Sequence, residues 1–122
     1  MSPENTELLY SRYPDLFRQK DLPVTETCMC WGFECGDGWF NIINNLCNAI
    51  CSHTNDVQVT QVKEKFGSLR FYIDGGDDYV EGLITMAEIS SGFTCEECGN
   101  LGKQNDKGWI KTMCDTCRGT SL

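Results

Sequence analysis

Cys95-Glu96-Glu97-Cys98 and Cys114-Asp115-Thr116-Cys117 decide how the rest of the chain reads. Each is a Cys-x2-Cys pair, and fifteen residues lie between them. That spacing is the one expected of a four-thiolate zinc site. Two sulfurs on a tight turn can aim at one ion, and two such turns supply a tetrahedral set. Gly99 and Gly119 follow the pairs, where a missing Cβ lets the backbone curl around a metal. Gly102, Gly108 and Asn105-Asp106 mark turns between them, and Trp109 to Met113 predicts a short strand leading into the second pair. The segment reads as a zinc ribbon. Two disulfides, an iron centre or a redox dithiol are the competing readings. A closed four-thiolate site leaves no coordination position for chemistry, so the metal is expected to be structural.

Outward from this segment, 122 residues with 40% hydrophobic content suffice for one modest core. A metal staple is a common supplement at this size. The expected organisation is an α+β core over residues 1–92 and a zinc ribbon over 93–122, packed on the last helix. The formal net charge is −8. Such a surface repels nucleic acid on average and favours basic partners. The beginning of the chain lacks the basic start and apolar segment of a secretory signal. No stretch approaches membrane-spanning length, so no membrane partner is expected. The nine cysteines are then expected to be reduced, in a cytoplasmic setting.

Ser2-Pro3-Glu4 reads as a helix start, with Leu8, Leu9, Tyr13, Leu16 and Phe17 as an apolar face. Pro14 should divide this stretch into two short helices. Thr25 to Asp37 reads as irregular and thiol-rich. Asp37, in the Gly36-Asp37-Gly38 turn, is a natural cap for a helix from about Gly38 to His53. Trp39, Ile42, Ile43, Leu46 and Ile50 share one face of that helix, flanked by Phe40 and Cys47. Val57 to Asp74 reads as an antiparallel hairpin with a bulge near Gln61 and a Gly67-Ser68 loop. That loop would set Phe66 opposite Leu69, Lys65 opposite Arg70, Lys63 opposite Tyr72 and Val62 opposite Ile73. Asp77 or Asp78 should cap a last helix with Val80, Leu83, Ile84 and Ala87 inward, closed by Gly92. The fold class is therefore α+β: a small antiparallel hairpin sheet packed by helices, with a C-terminal zinc ribbon.

Two further constellations carry chemistry. Cys28, Cys30, Cys35, Cys47, Cys51 and His53 could form a second metal site, but their spacing fits no zinc template. Buried apolar thiols and a reactive cysteine are the other readings. His53 also suits a helix end, where the dipole favours a cation. Lys63, Lys65, Arg70 and Tyr72 share the outer face of the hairpin. In a chain of net −8 this concentrates scarce positive charge. It is either a face for an anionic partner, nucleic acid or nucleotide included, or a solvated face neutralised by Glu64 and nearby acids. Asp74, Asp77 and Asp78 are better explained by a turn and a helix cap than by a cation. There is no Gly-rich phosphate loop, no nucleophile elbow, and one histidine.

The segments Cys28 to Trp39, Val62 to Tyr72 and Cys95 to Cys117, in that order, resemble a group of short uncharacterised proteins of bacteriophages and prophages. The resemblance covers most of the chain from Cys28 onward. It implies an accessory protein of the host cytoplasm, and carries over no catalytic or binding residue. The expectation is a non-enzymatic zinc protein that binds and modulates a host protein, a defence factor for example. The alternative is a nucleic-acid or nucleotide binder using Lys63, Lys65 and Arg70. A metal-dependent enzyme using the Cys28–His53 cluster ranks last.

Overall fold

The computed structural model describes residues 1–119. Thr120, Ser121 and Leu122, the end of the segment assigned to the ribbon, lie outside the described residues. Helix α1 (Pro3–Arg12) begins as expected: Ser2 is extended and its Oγ accepts from Asn5 N at 3.2 Å. It stops before Pro14, with Tyr13 as the cap. The second helix expected after Pro14 is only a 3-10 turn, Arg18–Asp21. Pro14 and Pro23 bound this stretch, and each removes a backbone donor that a helix would use.

The sheet is three-stranded and mixed, which corrects the two-stranded antiparallel expectation. Strand β1 (Phe33–Glu34) lies within the stretch read as irregular, and runs parallel to β2 (Gln58–Lys65). Phe33 pairs with Val62 and Glu34 with Lys63. Parallel neighbours need a crossover, and helix α2 (Phe40–His53) supplies it. A two-residue strand has no alternation to read, so the sequence pattern could not find it. β3 (Ser68–Asp74) pairs antiparallel with β2 on the other side, in the order β1-β2-β3.

The bulge falls where expected, between Val59 and Gln61, so Val59 and Val62 both point inward although three apart. The turn does not. Lys65 pairs with Ser68, so the loop is Phe66-Gly67 rather than Gly67-Ser68. Both loop residues have positive φ, 53° and 84°, the primed turn whose twist matches the strands. The expected pairs therefore give way to Lys63 opposite Arg70, Gln61 opposite Tyr72, Val62 opposite Phe71 and Glu64 opposite Leu69. Above the bulge this is a slip of two residues along the partner strand. Side chains alternate with period two, so Lys63, Lys65, Arg70 and Tyr72 still share the outer face.

Helix α3 (Asp78–Ser91) is capped by Asp77, whose Oδ1 accepts from Val80 N at 3.1 Å, and closes at Gly92. Trp39, Ile43, Leu46, Cys47 and Ile50 pack with Val59, Val62, Leu69 and Phe71 of the sheet and with Val80 and Ile84 of α3. Each fully buried aliphatic side chain contributes about 1.5–3 kcal/mol. α3 also closes the β3 edge. Leu69 N donates to Ser91 Oγ at 2.8 Å, and Phe71 N donates to Glu88 Oε2 at 3.1 Å. Backbone donors that would otherwise face outward are thus satisfied by side chains. Three short elements complete the chain: β4 (Lys103–Gln104), β5 (Thr112–Met113) paired antiparallel with it, and α4 (Asp115–Arg118).

Asp37 does not cap α2, which is entered through a 3-10 turn with no side-chain cap. Its Oδ1 accepts from Ser2 N at 2.7 Å and Asn5 Nδ2 at 3.1 Å, tying α1 to this turn. The Ser2 backbone N–H, foremost among these donors, holds the Asp37 carboxyl below its ordinary range.

Phe66 is in the left-handed region and 70% exposed, so its ring gains little burial for the strain. Asn accepts that conformation readily. Phe66→Asn should raise the unfolding free energy by about 1 kcal/mol. Urea unfolding of the two proteins checks this; a drop in stability would mean that the ring contributes packing.

Candidate metal centre

Cys95, Cys98, Cys114 and Cys117 converge, their Sγ atoms all within 4.8 Å of one another. Four sulfurs around a tetrahedral zinc at about 2.3 Å would stand about 3.8 Å apart. Cys98 Sγ and Cys114 Sγ are already at 3.6 Å. The cluster fits one metal ion such as zinc after small adjustments. Both turns are built locally. Gly99 and Gly119 adopt positive φ, 84° and 72°, and Cys114 Sγ accepts from Cys117 N at 3.4 Å. Burial pushes the Cys95 thiol up, but N–H groups of Cys114, Cys98 and Glu97 outweigh it and bring Cys95 down to about 6. Hydrogen bonds that the Cys117 thiol donates to the Cys114 and Cys98 sulfurs push Cys117 up to about 12.

The first turn is held against the α2 entrance by contacts that the sequence did not announce. Glu96 O accepts from Gly38 N at 2.7 Å, and Glu96 Oε2 accepts from Gly36 N at 2.9 Å. Trp39 Nε1 donates to Thr94 O at 2.8 Å. A Cβ on Gly36 would stand 2.4 Å from Glu96 O, and one on Gly38 would stand 2.1 Å from Cys95 O. Both glycines are needed for this close approach, not only for the turn between them. Glu96 is buried, with Lys111 Nζ 3.3 Å from its Oε1. The Lys111 ammonium compensates the buried carboxylate beside the thiolates. On the other side, Thr112 Oγ1 donates to Gly67 O at the hairpin tip.

The six residues of the second constellation do not come together. Among the described residues, the four C-terminal cysteines are the one grouping of three or more metal-ligating side chains. Cys28, Cys30 and Cys51 are exposed, and Cys35 and Cys47 are buried. Burial pushes Cys35 up to about 12 and Cys47 well above the ordinary thiol range, so both stay protonated and apolar. His53, the last residue of α2, places Nε2 2.9 Å from Asp77 Oδ2 and stacks on Tyr79 at 4.3 Å. The Asp77 carboxyl is lowered chiefly by this bond to His53. Asp74 accepts from Gln19 Nε2 at 3.1 Å.

The hairpin's outer face carries Lys63, Lys65, Arg70 and Tyr72 as a group. Among the described residues, none of the three cations lies within ion-pairing distance of a carboxylate. Glu64, considered as their neutralising partner, instead accepts from Gly67 N at 2.8 Å. Arg70 donates to Ser68 Oγ at 2.8 Å and Leu69 O at 3.0 Å, both on its own strand. At the hairpin tip, Phe66 and Trp109 are 70% and 80% exposed. They share a cleft with Glu64, Lys65, Gly108 and Ile110. The sequence reading set Phe66 opposite Leu69 and Trp109 at the start of the strand before the second cysteine pair, and gave neither a surface role; β5 spans only Thr112–Met113, which leaves Trp109 outside it.

No protein-family model matches the chain, and neither a curated protein nor a solved structure matches it. The resemblance to phage proteins therefore rests on the three sequence motifs alone.

Elemental analysis of the purified protein should give one zinc per chain, retained in a Cys28→Ser, Cys30→Ser double variant and lost in Cys98→Ser. Thiolates bind the metal and thiols do not, so zinc affinity should fall as pH falls, with proton release on binding. A chelator competition series across pH 6 to 8 measures the slope. Gly38→Ala, which alters no ligand, should also weaken zinc retention, because the added methyl displaces the Cys95-Glu96 backbone. Retention equal to wild type in that variant would detach the α2 contact from the metal site.

Proposed function

We propose that this chain is a non-enzymatic zinc-ribbon protein of a bacteriophage that binds and modulates a host protein in the bacterial cytoplasm, with defence factors as the target class. The observation that carries the reading is the unpaired basic face of Lys63, Lys65 and Arg70, with Tyr72 beside it, in a protein of net charge −8. Lys63 and Arg70 stand directly opposite each other, an arrangement that costs stability in a sheet. An anionic patch on a partner reverses that cost. Arg70 can grip a carboxylate bidentately, and Lys63 and Lys65 add point charges. A four-thiolate ribbon supports this role as a scaffold, because it holds the polypeptide without exposing a reactive metal. No helix of the described residues is long and apolar enough to cross a membrane.

A nucleic-acid or nucleotide ligand is the second reading, favoured by the same cations. Strand-long phosphate repulsion from the remaining acidic surface weighs against it.

Affinity capture from infected-cell lysate, with and without nuclease, separates the two readings. Lys63→Ala, Arg70→Ala should keep the fold and its thermal midpoint while weakening partner binding by about tenfold. A protein partner should survive nuclease and show mild salt dependence, mainly in the association rate. A nucleic-acid partner should vanish with nuclease, and the variant's salt slope should be shallower by about two. Wild-type binding by the double variant would leave this face merely solvated.

A further inference from the structure

The hairpin tip and the loop before β5 together build a cleft of about 370 Å³. One wall is Glu64, Lys65 and Phe66, and the other is Gly108, Trp109 and Ile110. The walls are clipped together where Gly67 meets the second one. Thr112 Oγ1 donates to Gly67 O, and a Cβ on Gly67 would stand 3.1 Å from Ile110 Cγ2. The Trp109 loop is fixed from within by Asn105. Its Nδ2 donates to Lys107 O and Trp109 O at 2.6 and 2.8 Å, and its Oδ1 accepts from Lys111 N at 2.7 Å. Trp109 is therefore presented to solvent on a braced loop. Phe66 is presented on a strained turn, in a backbone region that Asn or Gly occupies at lower cost. Two large aromatic side chains, neither buried, flank one opening.

We infer that this cleft receives one aromatic or large apolar side chain from an acidic peptide segment, an inference that rests on the protein-binding reading above. The cleft lies at the small end of the ~300–1,000 Å³ range for ligand sites, room for a side chain and not for a folded element. Exposed Trp and Phe beside a cation form the kind of anchor that dominates protein interfaces. The rim sets the sign of the partner. Lys65 Nζ lies 5.8 Å from the Phe66 ring centroid, and Lys63 and Arg70 continue the same face. Glu64 is occupied by the Gly67 amide. Residues flanking the inserted side chain should therefore carry carboxylates. A polynucleotide fits less well. Its charge repeats along its length, and the groove beside Lys63 and Lys65 is also lined by Glu26 and Asp74.

The test is an amide NMR titration of the zinc-loaded full chain. The probe is a capped pentapeptide of one tryptophan flanked by aspartates. Saturable shifts are expected at the Trp109 indole N–H and at the amides of Phe66, Gly67 and Gly108, with a dissociation constant of millimolar order or tighter. Binding should weaken at least about tenfold when the peptide tryptophan becomes alanine, when its aspartates become asparagines, or in Phe66→Asn and Trp109→Ala. The inference is overturned by absent or scattered shifts up to about 5 mM peptide. It is equally overturned by binding that survives both protein variants, or by oligothymidylate producing those shifts when the peptide does not. If a nuclease-resistant partner is captured but ignores Phe66 and Trp109, only the cleft assignment falls. If no protein partner is captured, the broader reading falls with it.

Discussion

The contact between the first cysteine turn and the α2 entrance is the constraint on which the rest of the molecule depends. Glu96 makes it from both ends, with its carbonyl on Gly38 N and its carboxylate on Gly36 N. The carboxylate is buried and is tolerable there because two hydrogen-bonding or charged partners, Gly36 N and Lys111, face it. Trp39 adds its indole bond to Thr94 O while its ring fills the core. One small patch therefore joins the metal cluster to the hydrophobic interior. The cysteines fix the shape of the turn, the turn fixes Glu96, and Glu96 fixes the start of the helix that crosses between the two parallel strands.

Sequence reading reached the elements with strong local signatures. Ser2-Pro3, Asp77 and Gly92 place helix ends because capping is a short-range interaction. The four cysteines were legible because thiolate geometry dictates their spacing. Strand β1 was not, since two residues carry no period. The hairpin turn was misplaced because Gly67 suits either of two primed turns, and only the strained Phe66 distinguishes them. The face survived that error because the slip was even. Gly36 and Gly38 were read as a local turn, whereas their need for hydrogen in place of a side chain comes from a backbone sixty residues away. Of the thiol-rich stretch, sequence could not say which cysteines point inward. Cys35 and Cys47 do, and Cys28 and Cys30 do not.

Val59 and Val62 of the hairpin face the core, and toward the tip the β3 edge is sealed at Leu69 and Phe71 by Ser91 and Glu88. The sheet therefore has little free edge there with which to recruit a strand. At the tip, backbone strain, unpaired cations and exposed aromatics collect within a few residues. Behind the tip, the segment leading into β5 packs on Gly67 through Ile110 and the Thr112 hydroxyl.

The sixty-residue separation between Gly36 and Glu96 also has a temporal meaning. Synthesis proceeds at roughly 5–20 residues per second, so the glycine cradle exists for roughly 3–12 s before the carboxylate that fills it is made. During that interval the cradle is open and the Trp39 indole has no acceptor from residue 94. Closure must await the first cysteine turn, which carries Glu96. The nascent chain thus finishes its fold from the C-terminal side.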